Sequence, residues 1–315
     1  MNKPAKLLIA YDGSEHTDAA VEDLRRAGLP QETEAIVLTV ADVWFYPPPA
    51  DAVPGSSPLD VKILQRTEEM RVRAMKAREE AETLARRGVA WLQEIFPSWT
   101  VRAETDINWP GWGIISKAEE WGADLVVVGA GKHSHMDRMQ LGSISRKVVG
   151  ACNRSVRVGR RSPNLADPAV RILIGVDGSP DAELAIDAVT QRQWPAGSEA
   201  RLMTILEKRL VFLTPRFIPR LARWSSAEDS HNDRAWVERM MKAATEKLES
   251  AGLKISSAIV TGDPRQGLLD AASDWKADCI FIGARGLSGI ERFLLGSVSS
   301  TVSAEASCSV EVVRP

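Results

Sequence analysis

Gly283-Ala284-Arg285-Gly286, followed after nine residues by Gly296-Ser297, is the stretch from which the fold can be inferred. The apolar run Cys279–Ile282 leads directly into the first glycine and predicts a buried β-strand. Two glycines three residues apart let backbone N–H groups approach a ligand without a Cβ in the way. A Gly-Ser pair at the start of the next helix adds N–H groups at a positive helix end. The pattern predicts a loop that cradles a polyphosphate, and a simple tight turn is the structural alternative.

The stretch has a counterpart earlier in the chain. Gly122–Gly129 matches Lys276–Gly283 at an offset of 154 residues, and Leu141-Gly142-Ser143 matches Leu295-Gly296-Ser297 at the same offset. An apolar strand that ends in Asp-Gly-Ser also occurs twice, at Asp12 and at Asp177. An internal repeat of this length means that one structural unit occurs twice. We therefore predict a first domain at residues 1–160, a linker at 161–169 and a second domain at 170–315.

Each copy alternates predicted strands with predicted helices, which indicates an α/β fold with parallel strands and right-handed crossovers. In such open sheets, ligands bind outside the carboxyl ends of the strands. Asp177 and the Gly283 loop both follow a predicted strand, so they are expected at the same edge of the sheet. This convergence predicts a nucleotide site in the second copy.

With Asp-Gly-Ser after a strand, Gly262-Asp263-Pro264, and Gly-x2-Gly-x9-Gly-Ser in this order, the chain resembles the universal stress protein family over both halves. The resemblance implies two tandem open parallel-sheet domains of the adenine nucleotide alpha hydrolase-like, Rossmann-like type. It also implies that the last strands of the two domains, Ser155–Val158 and Ser309–Val313, pair across a two-fold interface as an intramolecular pseudo-dimer.

The glycine–serine signature is that of the family's ATP-binding branch, so the resemblance implies ATP, with Mg²⁺, in the second half. It places Val176 and Asp177 at the nucleoside, Ile205 at the adenine face and Asp263 near the ribose. The phosphates would be lined by Gly283, Ala284 and Gly286 on one side and by Gly296, Ser297, Val298 and Ser299 on the other. Two alternatives stay open: Ser297 as a helix N-cap, and Asp177 in a cap or Asx-turn.

The first half departs from the signature at two positions. At the offset of 154, Lys132 stands for Gly286 and Trp109 stands for Asp263. Trp109 is large enough to fill an adenosine slot or to cap it, while Lys132 either blocks the phosphate approach or supplies a point charge for phosphate. We expect a degenerate, structural first half. His133 and His135 follow directly, and solvated histidines are favoured over a metal pair there.

Net charge, cysteine content and missing motifs exclude several classes of function. The formal net charge of −2 gives no electrostatic footprint for nucleic acid or for a membrane surface. The three cysteines form no paired framework, so we expect a cytoplasmic protein with reduced thiols. No P-loop with Gly-Lys-Ser/Thr is present. We expect an ATP-binding regulatory protein of the stress response with protein partners, and a homodimer is kept open. A weak ATPase or autophosphorylating enzyme, and a scaffold with vestigial pockets, are the alternatives.

Overall fold

A computed structural model describes residues 5–42, 58–131, 141–162, 168–206, 229–286 and 295–315. Its strands are β1 (Ala5–Ala10), β2 (Thr33–Ala41), β3 (Thr100–Ile107), β4 (Leu125–Gly129), β5 (Ser155–Gly159), β6 (Arg171–Gly175), β7 (Glu199–Leu206), β8 (Lys254–Thr261), β9 (Cys279–Gly283) and β10 (Ser309–Val313). Its helices are α1 (Glu15–Asp23), α2 (Pro58–Ile95), α3 (Pro110–Trp121), α4 (Ser143–Ala151), α5 (Pro180–Thr190), α6 (Asp229–Glu249), α7 (Pro264–Trp275) and α8 (Ser297–Glu305), with a 3₁₀ turn at Leu24–Arg26 after α1.

The described strands form one ten-stranded sheet in the order β3-β2-β1-β4-β5-β10-β9-β6-β7-β8. Strands within each half are parallel. The two halves meet where β5 pairs with β10 in the antiparallel direction. The α/β tandem fold and the internal pseudo-dimer predicted from the sequence are confirmed. Because the junction is antiparallel, the carboxyl ends of the two halves' strands lie at opposite edges of the sheet.

Helices cover both faces of this sheet. On one face a single core runs through both halves and includes Ile115 of α3, Val148 of α4, Leu268 of α7 and Val302 of α8. On the other face each half has its own core, under α1 and α2 in the first half and under α5 and α6 in the second. Throughout the described residues, no helix combines the length and apolar character needed to cross a membrane.

Helices α1 and α3 begin earlier than the apolar periodicity indicates, and the residues at their first turns explain both starts. The sequence predicts a start near Thr17 for α1, but the helix begins at Glu15 because the Ser14 hydroxyl accepts the Thr17 N–H at 3.4 Å. Helix α3 is predicted from Ile114 and begins at Pro110, because proline at the first helical position loses no hydrogen bond there. The domain boundaries themselves stay a prediction.

Candidate functional site

The first glycine of the decisive stretch is fixed by packing. A Cβ on Gly283 would lie 2.6 Å from the carbonyl carbon of Asp181 and 2.8 Å from the backbone nitrogen of Ala182, in the first turn of α5. In the first half, a Cβ on Gly129 would lie 2.8 Å from the carbonyl of His16 in α1. The sequence interpretation assigned Gly283 to ligand approach. The structure shows that the missing side chain lets a helix cross the end of the strand, and a contact from Gly283 to a ligand stays a prediction.

The second glycine faces Asp177 instead. A Cβ on Gly286 would lie 2.6 Å from the Oδ2 atom of Asp177, while Oδ1 of the same carboxylate accepts the Ser179 N–H at 3.0 Å. The Asx-turn alternative for Asp177 is therefore correct for one carboxylate oxygen. Asp177 is also exposed, and its other oxygen points at the loop. Two motifs that are over a hundred residues apart in sequence thus meet at one edge of the sheet.

The start of α8 is capped by a glycine. Its N-cap is Gly296, whose own N–H donates to the Ala284 carbonyl at 2.8 Å. The N-cap alternative for Ser297 is wrong, because Ser297 is the first helical residue and its side chain is exposed. A glycine cap has no side-chain oxygen that could accept the first-turn N–H groups of Ser297, Val298 and Ser299. Such a helix end can accept an anion.

Ser299 is held inside the fold. The residue is 4% exposed, and its hydroxyl donates to the Gly283 carbonyl at 2.6 Å. Ser145 makes the equivalent bond to the Gly129 carbonyl at 2.6 Å in the first half. The side chain of Ser299 therefore ties α8 to the end of β9, and a contact from its hydroxyl to phosphate stays a prediction.

Sequence reasoning missed the charged pair that fixes the loop. The Asp181 carboxylate accepts three bonds from Arg285: from the backbone N–H at 3.1 Å, from Nε at 2.9 Å and from Nη2 at 3.1 Å. This carboxylate raises the pKa of the Arg285 guanidinium, whose side chain is 26% exposed. The Ser179 hydroxyl also donates to the Arg285 carbonyl at 3.2 Å. The sequence did contain a signal for this pair. Arg285 lies between the two glycines of the loop, and Asp181 lies in the first turn of α5.

Two of the residues expected at the nucleoside, Val176 and Ile205, do not lie together. Val176 is buried in the core under α5 and α6, its N–H donates to the Met203 carbonyl, and its carbonyl accepts the Thr204 hydroxyl. Ile205 lies on the opposite face of the sheet, where a Cβ on Gly267 would lie 2.7 Å from its Cδ1 atom. The structure does not bring these two side chains together, although both lie near the carboxyl edge of the strands.

Asp263 is engaged by its own helix. It is the N-cap of α7, and Oδ1 accepts the backbone N–H of Arg265 at 2.9 Å. The Arg265 guanidinium also donates to both carboxylate oxygens, at 3.0 and 2.8 Å. These bonds lower the pKa of the exposed Asp263 carboxyl. A ribose contact stays a prediction and would share this carboxylate with Arg265.

The first half keeps the turn after its first strand but differs at the loop that corresponds to Arg285. Asp12 keeps the Asx-turn to the Ser14 N–H at 2.9 Å and also accepts the Thr17 hydroxyl at 2.9 Å. Burial acts to raise the pKa of the Asp12 carboxyl, but these hydrogen bonds outweigh it and the pKa is lowered. Gly131 stands where the second half has Arg285 and takes a φ of +86°. The loop conformation thus depends on a glycine here instead of an ion pair.

Trp109 does not fill an enclosed slot, because its side chain is 55% exposed. It is the N-cap residue of α3 and makes no side-chain capping bond. Trp112 nearby is 50% exposed, with the Lys147 ammonium 3.9 Å from its ring centroid. Of the two roles considered for Trp109, capping the adenosine slot from outside stays a prediction. Lys132, His133 and His135 lie outside the described residues.

Comparison with known proteins identifies the family of both halves. The model of the "Universal stress protein family" matches residues 4–160 and again residues 170–314. The chain belongs to the universal stress protein family. Universal stress protein YxiE of Bacillus subtilis is 27% identical over 153 residues, which are 46% of this chain and 98% of that protein.

Solved universal stress proteins show the same tandem fold. The crystal structure of a universal stress protein from Archaeoglobus fulgidus covers 98% of this chain, and this chain covers 98% of it, with a TM-score of 0.60 at 20% identity. A universal stress protein from Pseudomonas aeruginosa, itself described as putative, covers 99% of this chain with a TM-score of 0.58 at 13% identity, and 94% of that chain is covered. At these identities the likeness extends to the fold alone. Among the described residues of this universal stress protein, no three His, Cys, Asp or Glu side chains are grouped to hold a metal ion.

Proposed function

We propose that the second half of this universal stress protein binds ATP, together with Mg²⁺, at the edge formed by β6, β9 and α8. The observation that supports the proposal most directly is the approach of Gly286 to Asp177, since a Cβ there would lie 2.6 Å from the carboxylate. In the proposed complex, the missing side chain at Gly286 leaves room for the ligand beside Asp177. The start of α8, where Ser297 is exposed, lies across the loop from this point, because Gly296 is bonded to Ala284.

Each part of the edge has a distinct role in this proposal. The first-turn N–H groups of α8 donate to phosphate oxygens, and the positive end of the helix stabilises their charge. The Arg285 guanidinium lies beside the loop and remains partly exposed, so it neutralises further phosphate charge without leaving Asp181. Asp177 accepts hydrogen bonds from the hydroxyl groups of the nucleoside. Mg²⁺, when bound, screens the phosphates and orients them.

Binding of this kind serves regulation better than turnover. Phosphoryl transfer requires carboxylates that hold metal ions and a positioned base. At the described part of this edge, Asp181 is engaged by Arg285 and Asp263 by Arg265. We therefore propose a cytoplasmic ATP-dependent regulator in which the nucleotide fixes the conformation of the loop and α8 for a protein partner.

Titration calorimetry of the full chain with ATP and Mg²⁺ tests the proposal. We expect one site per chain. Gly286→Lys copies the first half and Gly286→Leu adds bulk without charge, and each should weaken binding at least tenfold, about 1.4 kcal/mol. Gly262→Ala is the matched control, since nothing lies within 4 Å of a Cβ there, and its affinity should equal that of the wild type. Two ATP sites per chain, or unchanged affinity in both Gly286 variants, would contradict the proposal.

A further inference from the structure

The two halves meet at a position that a two-fold axis would map onto itself. In the antiparallel pairing of β5 and β10, Val158 faces Val310, Arg157 faces Glu311 and Val156 faces Val312. At the repeat offset of 154, positions 156, 157 and 158 correspond to 310, 311 and 312. The pair Arg157–Glu311 is therefore central, and its two members are equivalent positions of the repeat with opposite charge.

These charges are buried and connected in an alternating row. Arg157 is completely buried and donates to Asp23 at 2.7 and 3.1 Å and to Glu311 at 3.2 Å. The other oxygen of Glu311 accepts from Arg192, and the side chain of Glu311 is 2% exposed. The four charged side chains follow one another in the order Asp23, Arg157, Glu311 and Arg192. Two come from each half, and their formal charges cancel.

We propose that this row decides which β5-type edges can pair: the first half accepts only an edge that carries an acid at the central position. Pairing of a first half with another first half would place Arg157 against Arg157, and pairing of two second halves would place Glu311 against Glu311. Either arrangement places like charges side by side at the most enclosed point of the junction and loses the Arg157–Glu311 bond, which is unfavourable even with Asp23 or Arg192 beside them. The partner that fits is the second half, of the same chain or of another copy.

A second pair across the junction repeats the asymmetry. Arg26 in the first half bonds to Asp278 in the second half at 2.9 Å, and both side chains are almost fully buried. The repeat offset between Asp12 and Asp177 is 165, and position 26 then corresponds to Gln191, which has no charge. The repeat equivalent of Asp278 is Asp124, so the equivalent positions on the other side are an acid and an uncharged residue, and the tandem makes this ion pair on one side only. The row therefore acts on pairing specificity, since buried ion pairs by themselves are weak contributors to stability.

Charge reversal in the full chain tests the proposal. Glu311→Arg leaves arginine at both central positions, and Arg157→Glu leaves acids at both. Each variant alone should lose the junction. A mixture should form a one-to-one complex, because the first half of the Glu311→Arg chain and the second half of the Arg157→Glu chain rebuild the native row. Native mass spectrometry of mass-labelled chains should show at least tenfold more of this mixed dimer than of either homodimer, and more than labelled wild-type chains give with each other.

A charge-free variant covers the case in which the reversals fail to fold. Asp23→Leu, Arg157→Met, Glu311→Leu and Arg192→Met together keep the volume and remove the row. We expect this chain to stay folded by circular dichroism and to form dimers between chains at least tenfold more than wild type. Lys254→Glu, which disrupts an exposed pair with Glu199 far from the junction, is the control and should pair as wild type does. The proposal is overturned if the charge-free chain pairs as wild type does, or if folded reversal variants give no mixed dimer.

Discussion

The loop after β9 and the loop after β4 begin from the same frame and differ in what they present. Gly283 and Gly129 both admit a helix against the strand end, and Ser299 and Ser145 make the same 2.6 Å bond. The second loop then adds Arg285, fixed on Asp181, where the first has Gly131. The glycine–serine signature therefore contains two sets of residues. One set of residues, Gly283 and Ser299 with their counterparts, builds the fold and is kept in both halves. The other set, which faces the proposed ligand, is kept in the second half alone.

The largest effect on stability is expected at the two glycines that end β9 and β4, Gly283 and Gly129. Gly283→Val should lower the free energy of unfolding by about 3 kcal/mol, because the new side chain meets backbone atoms that cannot move away. Gly129→Val should cost a similar amount, since its Cβ would also meet backbone at 2.8 Å. Chemical denaturation of both variants measures this. A small loss at Gly129 beside a large loss at Gly283 would show that the two frames are not equivalent.

An intermediate effect is expected from the buried hydroxyls. Ser299→Ala and Ser145→Ala should each lower the free energy of unfolding by about 1 kcal/mol, because a buried carbonyl loses its hydrogen-bond donor. The two losses should agree, since both residues are less than a tenth exposed. Calorimetry with ATP then sharpens the comparison. Unchanged affinity in Ser299→Ala would assign its hydroxyl to the frame, and a tenfold loss would assign it to the ligand-facing set.

The smallest effect is expected at the two α-helix caps. Trp109→Asp gives α3 the cap that α7 has, and should raise the free energy of unfolding by about 0.5–1 kcal/mol. Asp263→Ala should lower it by about 0.5 kcal/mol, because the Arg265 N–H loses its acceptor at an exposed helix end. Thermal denaturation of both variants checks the pair. A loss of stability in Trp109→Asp would mean that the exposed indole makes contacts worth more than a cap.

The repeat made the fold predictable, because a fixed offset of 154 residues aligned strands, glycines and serines of the two halves. The approach of Gly286 to Asp177 also followed, since both come after parallel strands whose ends share one edge. The link between Arg285 and Asp181 did not follow, because it depends on how α5 crosses the strand end. The split of Val176 and Ile205 between two faces was missed because family resemblance assigns roles to residues without giving side-chain directions.

Helix α8 contacts α4, its counterpart in the first half, within the one core that is continuous across the molecule. The segment whose first turn faces the proposed phosphates is thus supported from behind by the half that has lost the signature. Helix α4, whose N-cap is Gly142, is therefore the element of the first half that a shift of α8 would meet. If the first half takes no nucleotide, as we propose, its helix α4 still has a structural role, because it packs against the helix whose start faces the proposed phosphates.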